Sequence, residues 1–254
     1  MNFVTCLSTI FLITALTVPQ TSSQEILQEA QKSSLIVSIY DHAEKSYVEV
    51  DIEDMHLTYL TNFEETYDWD VHKRLSTIYM LYPYLTENLK YTPEQASGII
   101  ANICCEGRIG QFHGQEAVYP IKDYTYITDN LAATDAYATG LCQWYSPGRR
   151  KNLRMYYEKW DLVLGNSYAD YVPLAAELDM LTYELYKYSL FDSSEPYTPE
   201  TACATVALNF EGYSSAAEDI YYSNGHLYFK DAVSKTSADR LRYAEGIYSL
   251  FNGE

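Results

Sequence analysis

The stretch Tyr91–Gly107, YTPEQASGIIANICCEG, specifies one short helix with a defined start, an apolar stripe and an abrupt end. Thr92 can cap it, and Pro93 suits the first helical position, where a missing N–H costs nothing. Gln95, three residues after Thr92, completes a capping-box pattern. Ala96, Ile99, Ile100 and Ile103 recur at the spacing of a core-facing helix stripe. Glu106 falls on the same stripe, and Gly107 is the expected stop. A carboxylic acid at the tip of an apolar face is partly desolvated, which disfavours its charged form and raises its pKa. That is the property a general acid needs near neutral pH.

Other helices are expected around it. Leu75, Ile78, Tyr79 and Tyr82 make an amphipathic helix ended by Pro83. Leu153–Trp160 reads as another, and Leu174, Leu178, Leu181, Leu185 and Tyr188 as a further one. Thr198-Pro199-Glu200 opens a helix running through Val206 to Phe210, with Cys203 on its apolar stripe. A last helix carries Leu241, Ala244, Ile247 and Phe251. Between Arg108 and Thr139 the periodicity vanishes. Gly110, Gly114, Pro120 and the alternating Tyr124 and Tyr126 predict loops with a small β-hairpin. An irregular insertion of that length in a compact helical domain is usually functional.

The N-terminal part differs. Leu35–Tyr40 and Tyr47–Ile52 are β-rich and flank the polar DHAEKS, which predicts a hairpin. An acidic stretch follows from Asp51 to Asp70. This region reads as an appendage, a pro-segment or a partner-binding arm. Residues 1–24 contain no Asp, Glu, Lys or Arg, and the apolar run Phe11–Val18 ends at Pro19. That pattern is a secretory signal peptide, with an uncleaved anchor as the alternative reading. The run is short for a membrane span, and no later segment looks transmembrane. The expected organisation is a signal peptide at 1–24, an appendage at 25–70 and a catalytic domain at 71–254. The fold class is mainly α with a small β component, in a secreted protein that leaves the membrane once the signal is cleaved.

Charge narrows the partners. The formal net charge is −18, from 17 Lys+Arg against 35 Asp+Glu, which argues against nucleic acid and anionic membranes. Arg149, Arg150, Lys151 and Arg154 form a short basic run, read as salt-bridging or solvated. Tyr is abundant, at 27 residues. Its rings can stack on sugar C–H faces while their hydroxyls hydrogen-bond, or they can simply fill the core. Cys104, Cys105, Cys142 and Cys203 lie beyond the signal region and allow three disulfide pairings. A bridge from Cys104 or Cys105 to Cys142 or Cys203 and a buried thiol at Cys203 both stand as readings. His42, His56 and His72 are scattered, no metal-ligand spacing occurs, and no cofactor is expected.

Two motifs then carry a resemblance. Ala96-Ser97-Gly98-Ile99-Ile100-Ala101-Asn102-Ile103-Cys104-Cys105-Glu106-Gly107 is similar to the helix that ends in the catalytic Glu of the phage tail lysozyme domains. Those domains belong to the lysozyme-like superfamily. Gly140-Leu141-Cys142-Gln143-Trp144, followed by Arg149, Arg150 and Leu153, resembles the second motif of these domains. Glu184-Leu185, Ala207–Gly212 and Arg242–Tyr248 resemble its later segments. The similarity spans about Tyr91 to Phe251. It departs at Gly107, where the family has Ser, and ahead of the Leu174 helix, where the family's Gln is missing.

The resemblance implies cleavage of the β-1,4 bond between N-acetylmuramic acid and N-acetylglucosamine in peptidoglycan. Glu106 would protonate the glycosidic oxygen. A second carboxylate commonly stabilises the oxocarbenium-like transition state or activates water. Glu116, Asp123, Asp129 and Asp135 are available, with Asp129 favoured and Asp135 next. Gln143 would line the groove. Trp144 and Tyr137 would stack on sugar or pack behind the site. Asn209 and Glu211 would touch substrate or brace the Glu106 helix, and Arg149 and Arg150 would be structural. Glu106 with Gly140-Leu141-Cys142-Gln143 also resembles the paired motifs of lytic transglycosylases. Loss of the second carboxylate would leave a non-catalytic glycan-binding protein.

Overall fold

The computed structural model describes residues 36–41, 45–51, 74–106, 138–164, 172–192, 194–212 and 216–253. The signal segment, most of the acidic stretch and the expected hairpin between Arg108 and Thr139 lie outside them. At the N-terminal side, β1 (Ile36–Asp41) and β2 (Ser46–Asp51) pair antiparallel, with Ile36 opposite Asp51 and Asp41 opposite Ser46. The expected hairpin is therefore present, its strands shifted by a single residue from the expected bounds.

The remainder is mainly helical. The described helices are α1 (Arg74–Pro83), α2 (Pro93–Cys105), α3 (Pro147–Leu164), α4 (Val172–Tyr188), α5 (Pro199–Val206), α6 (Ala216–Asp219) and α7 (Lys235–Asn252). Two π-helical turns, Tyr84–Asn88 and Ala207–Glu211, extend α1 and α5. A second hairpin, β3 (Ile220–Ser223) with β4 (His226–Phe229), sits between α6 and α7.

Helix α2 is the centre of the core. Thr92 and Gln95 form the predicted capping box: the Gln95 N–H donates to Thr92 Oγ1 and the Thr92 N–H to Gln95 Oε1. Every residue from Gln95 to Cys104 is buried, not the stripe alone. The helix is walled in because α7 and α5 both pack against it, with α7 also touching α5. Gly98 permits the α5 crossing. A Cβ there would lie 2.6 Å from the Cys203 amide nitrogen and 2.7 Å from the Ala202 carbonyl carbon. Helices α3 and α4 pack on one another as a second layer, burying Leu153, Tyr157 and Trp160 of α3.

Several local expectations need correction. The α-helix ends at Pro83, as expected, but the chain does not leave the helical path there. Pro83 has helical backbone angles, and the path continues as wider turns closed by the Leu89 N–H to Tyr84 and the Tyr91 N–H to Leu85. On α1, Ile78 is buried as expected, together with Met80 and Leu81, whereas Tyr79 is exposed. Tyr188 is exposed at the end of α4, whereas Leu174, Leu178, Leu181 and Leu185 are buried as predicted. The four described cysteines are thiols without a disulfide, and Cys203 is the buried thiol its stripe implies. No described helix is long and apolar enough to cross a membrane.

Candidate active site

Glu106 stands where α2 stops. Its own backbone is extended (φ −74°, ψ 125°), while its N–H still donates to the carbonyls of Asn102 and Ile103. The helix thus delivers the carboxyl to the rim of the core, with its side chain 20% exposed. Arg240, buried on α7, donates from Nη2 to Glu106 Oε1 and from Nε to Asn102 Oδ1 at 2.8 Å. Asn102 is itself fixed, donating Nδ2 to the Gly98 and Cys203 carbonyl oxygens at 2.8 and 3.1 Å. One guanidinium is therefore held by two side chains a helical turn apart. Burial pushes the Glu106 pKa above the ordinary carboxylate range. The Arg240 charge and hydrogen bond, and then the Arg149 charge, pull it back without cancelling the rise.

The Thr139–Trp144 turn forms the neighbouring wall. Thr139 and Trp144 bridge in antiparallel fashion across it. Gly140 takes φ 79°, and a Cβ there would fall 2.7 Å from the Trp144 ring and 3.0 Å from the Glu177 carboxyl carbon. Only glycine meets both demands. Gln143 has φ 46°, and its Nε2 donates to the Gly140 carbonyl at 2.9 Å. Buried carboxylates of α4 hold this turn. Glu177 accepts from the Leu141 N–H at 2.9 Å and the Tyr157 hydroxyl at 2.7 Å. Glu184 accepts from Trp144 Nε1 at 2.8 Å, and from Arg149 Nε and Nη2 at 2.7 and 2.5 Å.

Glu211 closes the cluster. It ends the π turn after α5, where Gly212 turns left-handed at φ 59°. Part of Glu211 remains open to solvent, but its Oε1 is enclosed and has no hydrogen-bond partner among the described residues. Burial, and then the nearby Glu106 charge, hold its carboxyl well above the usual range, against Arg149 and Arg240. Burial also pushes up the Cys142 thiol, with Glu211 adding to the rise. The end of α2, the Gly140 turn, the π turn and α7 thus converge on one set of charges.

Of the residues named from sequence, Glu106, Gln143, Trp144, Asn209 and Glu211 are described. Trp144 is fully buried, so it packs behind the site and offers no face to a sugar. Its indole is tied to Glu184, which explains why a Trp serves there. Gln143 is half-buried on the turn and Asn209 is exposed on the π turn. Glu116, Asp123, Asp129, Asp135 and Tyr137 lie outside the described residues. Arg149 is ion-paired with Glu184. Sequence reasoning missed Arg240, although it shares a buried face with Ser237, Ala244 and Ile247, an unusual register for an arginine.

The arrangement presents a desolvated carboxyl at a helix end, a second carboxyl within reach of its charge, and guanidinium groups that can stabilise the charge left after proton transfer. Such a set suits acid catalysis at an oxygen leaving group. Among the described residues no group of three His, Cys, Asp or Glu side chains is arranged to hold a metal ion.

No curated protein and no solved structure matches the chain. The phage tail lysozyme family model matches residues 76–251, a span that runs from α1 to α7 and contains every residue of the cluster. The chain belongs to the phage tail lysozyme family, whose lysozyme-like activity is directed at peptidoglycan.

Proposed function

We propose that the protein is a muramidase that hydrolyses the β-1,4 bond between N-acetylmuramic acid and N-acetylglucosamine. Glu106 delivers a proton to the glycosidic oxygen as the bond to the anomeric carbon breaks. Water then adds to the oxocarbenium-like centre. The observation that carries this reading is the environment of Glu106. Its carboxyl is mostly buried at a helix terminus, its pKa is raised by desolvation, and Arg240 fixes its orientation. Gln143 and Asn209 are proposed to hydrogen-bond the glycan, and Asp129 or Asp135 to stabilise the developing positive charge. The uncharged apolar leader at residues 1–24 supports export to the compartment where peptidoglycan lies.

Digestion of purified peptidoglycan, with products read by mass spectrometry, tests the reading. The wild-type chain should release muropeptides with reducing N-acetylmuramic acid ends. Glu106→Gln should lower the rate by roughly two to four orders of magnitude, the range expected for loss of a general acid. Anhydromuramyl ends would replace hydrolysis by transglycosylation. Undiminished lysis by Glu106→Gln would remove Glu106 from the acid role.

A further inference from the structure

We propose that Asn102 is a positioning residue for the glycosidic cut: its side-chain amide aims the Arg240 guanidinium at the Glu106 carboxyl. The inference rests on the reading that Glu106 is the acid.

The direction of the amide leads to it. Asn102 is fully buried on α2, one turn before Glu106. Its Nδ2 donates to the Gly98 carbonyl of its own helix at 2.8 Å and to the Cys203 carbonyl of α5 at 3.1 Å. Two oxygens that can only accept thus meet the end of the amide that can only donate. The other end, Oδ1, faces α7, where Arg240 Nε donates to it at 2.8 Å. A reversed amide would set its oxygen against two carbonyl oxygens and its NH2 group against the guanidinium. The backbone of two helices therefore fixes which way Oδ1 points. Gly98 belongs to the same device, because its missing side chain lets α5 come close enough for the Cys203 carbonyl to meet Nδ2.

A guanidinium is planar, and its donors form a rigid fork. With Nε held by Asn102, Nη2 of the same group reaches Glu106 Oε1. A long side chain with much rotamer freedom is thereby ordered before any substrate arrives. The neutrality of the amide matters too. A carboxylate at this position would compete with Glu106 for the Arg240 charge, whereas the amide accepts one N–H and leaves that charge acting on Glu106. The Glu106 shift has the matching causes, burial raising its pKa and Arg240 opposing the rise. Among the described residues, the other groups whose charge bears on Glu106 or Arg240 are Arg149 of α3, Glu211 of the π turn and the buried thiols of Cys142 and Cys203. None of these is altered by a change at position 102. Asn102 touches neither sugar nor the transferred proton, and acts through Arg240.

Two measurements on the full chain test the proposal. The first is the pH profile of kcat for peptidoglycan hydrolysis by wild type, Asn102→Ala, Arg240→Met and the double variant. Asn102→Ala should move the alkaline limb up by about half a pH unit or more, because Glu106 loses part of its support from Arg240. In the Arg240→Met background the same substitution should move the limb by less than about 0.2 unit, because its route to Glu106 is already gone. A purely structural role would lower stability and leave the limb in place. An unmoved limb in Asn102→Ala, or an equal shift in both backgrounds, overturns the proposal. The second measurement needs no variant. NMR of wild type follows the Glu106 carboxyl carbon, the Arg240 Nε and the Asn102 side-chain amide through pH, and the three should change with one midpoint. An Asn102 amide that stays silent while Glu106 titrates overturns the proposal even if the variants do not fold. If wild type releases no reducing ends from peptidoglycan, the muramidase reading falls, and the NMR midpoints decide on their own whether Asn102 is coupled to Glu106.

Discussion

The carboxyl of Glu106 is held by the guanidinium of Arg240, which lies 134 positions later in the chain. The contact closes the packing of α2 against α7, so the last helix orients the group on which the proposed chemistry depends. Arg240→Met would leave Glu106 and Asn102 without their partner. Breaking a buried ion pair from one side costs about 3 kcal/mol. For a chain of this size that lowers Tm by roughly 6–12 °C. The Glu106 titration should also move up, because its charged form loses its main support. Arg240→Lys restores charge but cannot donate to Glu106 and Asn102 through one rigid fork, so only part of the stability should return. Thermal unfolding of both variants, with the carboxyl titration, checks this. A Met variant as stable as wild type would show that the contact contributes nothing.

Gly98 is the second point at which α2 depends on its neighbours. The hypothetical Cβ would meet backbone of α5, at Ala202 and Cys203, rather than a flexible side-chain tip. Gly98→Ala therefore has to push two helices apart, in spite of the better helix propensity of Ala. Overpacking of this kind costs about 1–3 kcal/mol. Denaturant unfolding should show a lower midpoint with an unchanged slope. A more stable Ala variant would mean that α5 moves freely, and that the close crossing is not needed.

Much of this architecture is legible in short-range signals. The capping boxes at Thr92 and Thr198, the Ile99, Ile100 and Ile103 stripe and the Leu174–Leu185 stripe depend on residues a few positions apart, and each forms the helix it predicts. The β3–β4 hairpin carries a local signal too. Asn224-Gly225 takes φ 49° and 84°, the left-handed pair favoured in two-residue hairpin turns. That signal belongs with Tyr221 opposite Tyr228 and is absent from the elements expected above. The site itself is less legible, because its contacts are long-range. Glu106 can be found from its helix, but its partner on α7 hides beside Leu241, which suggests a stripe one residue out of register. Trp144 misleads for the opposite reason. Aromatic side chains line glycan grooves and fill cores alike, and only the Glu184 contact and full burial separate the two roles.

That separation can be measured. Trp144→Phe keeps most of the apolar volume but removes the donor to Glu184, leaving a buried acceptor short of one hydrogen bond. The expected cost is about 1–3 kcal/mol of stability. Peptidoglycan affinity should change by less than about twofold, because a buried ring contributes no stacking of the kind worth 0.5 kcal/mol or more. Sedimentation binding to insoluble peptidoglycan, run well below the unfolding transition of the variant, separates the roles. A tenfold loss of binding by folded Trp144→Phe would return Trp144 to the groove.

The raised pKa of Glu211 also predicts how stability varies with pH. Its folded-state pKa lies well above the ordinary glutamate value, with burial the first cause and the Glu106 charge the second. Between the unfolded and folded values the folded chain binds the proton more tightly than the unfolded chain. Stability contributed by this group is therefore complete below the unfolded pKa. It falls as pH rises towards the folded pKa and levels off above it. Gln cannot ionise, so Glu211→Gln lacks this loss. Its Tm relative to wild type should be lowest in acid and rise steadily from about pH 4.5 upward, where unfolded Glu begins to ionise. In alkali the variant should gain roughly 2–4 °C on wild type for each kcal/mol of relieved burial cost. Calorimetry of the two proteins across that range, at fixed ionic strength, measures the difference. A Tm difference that stays flat with pH would place the Glu211 titration in its ordinary range.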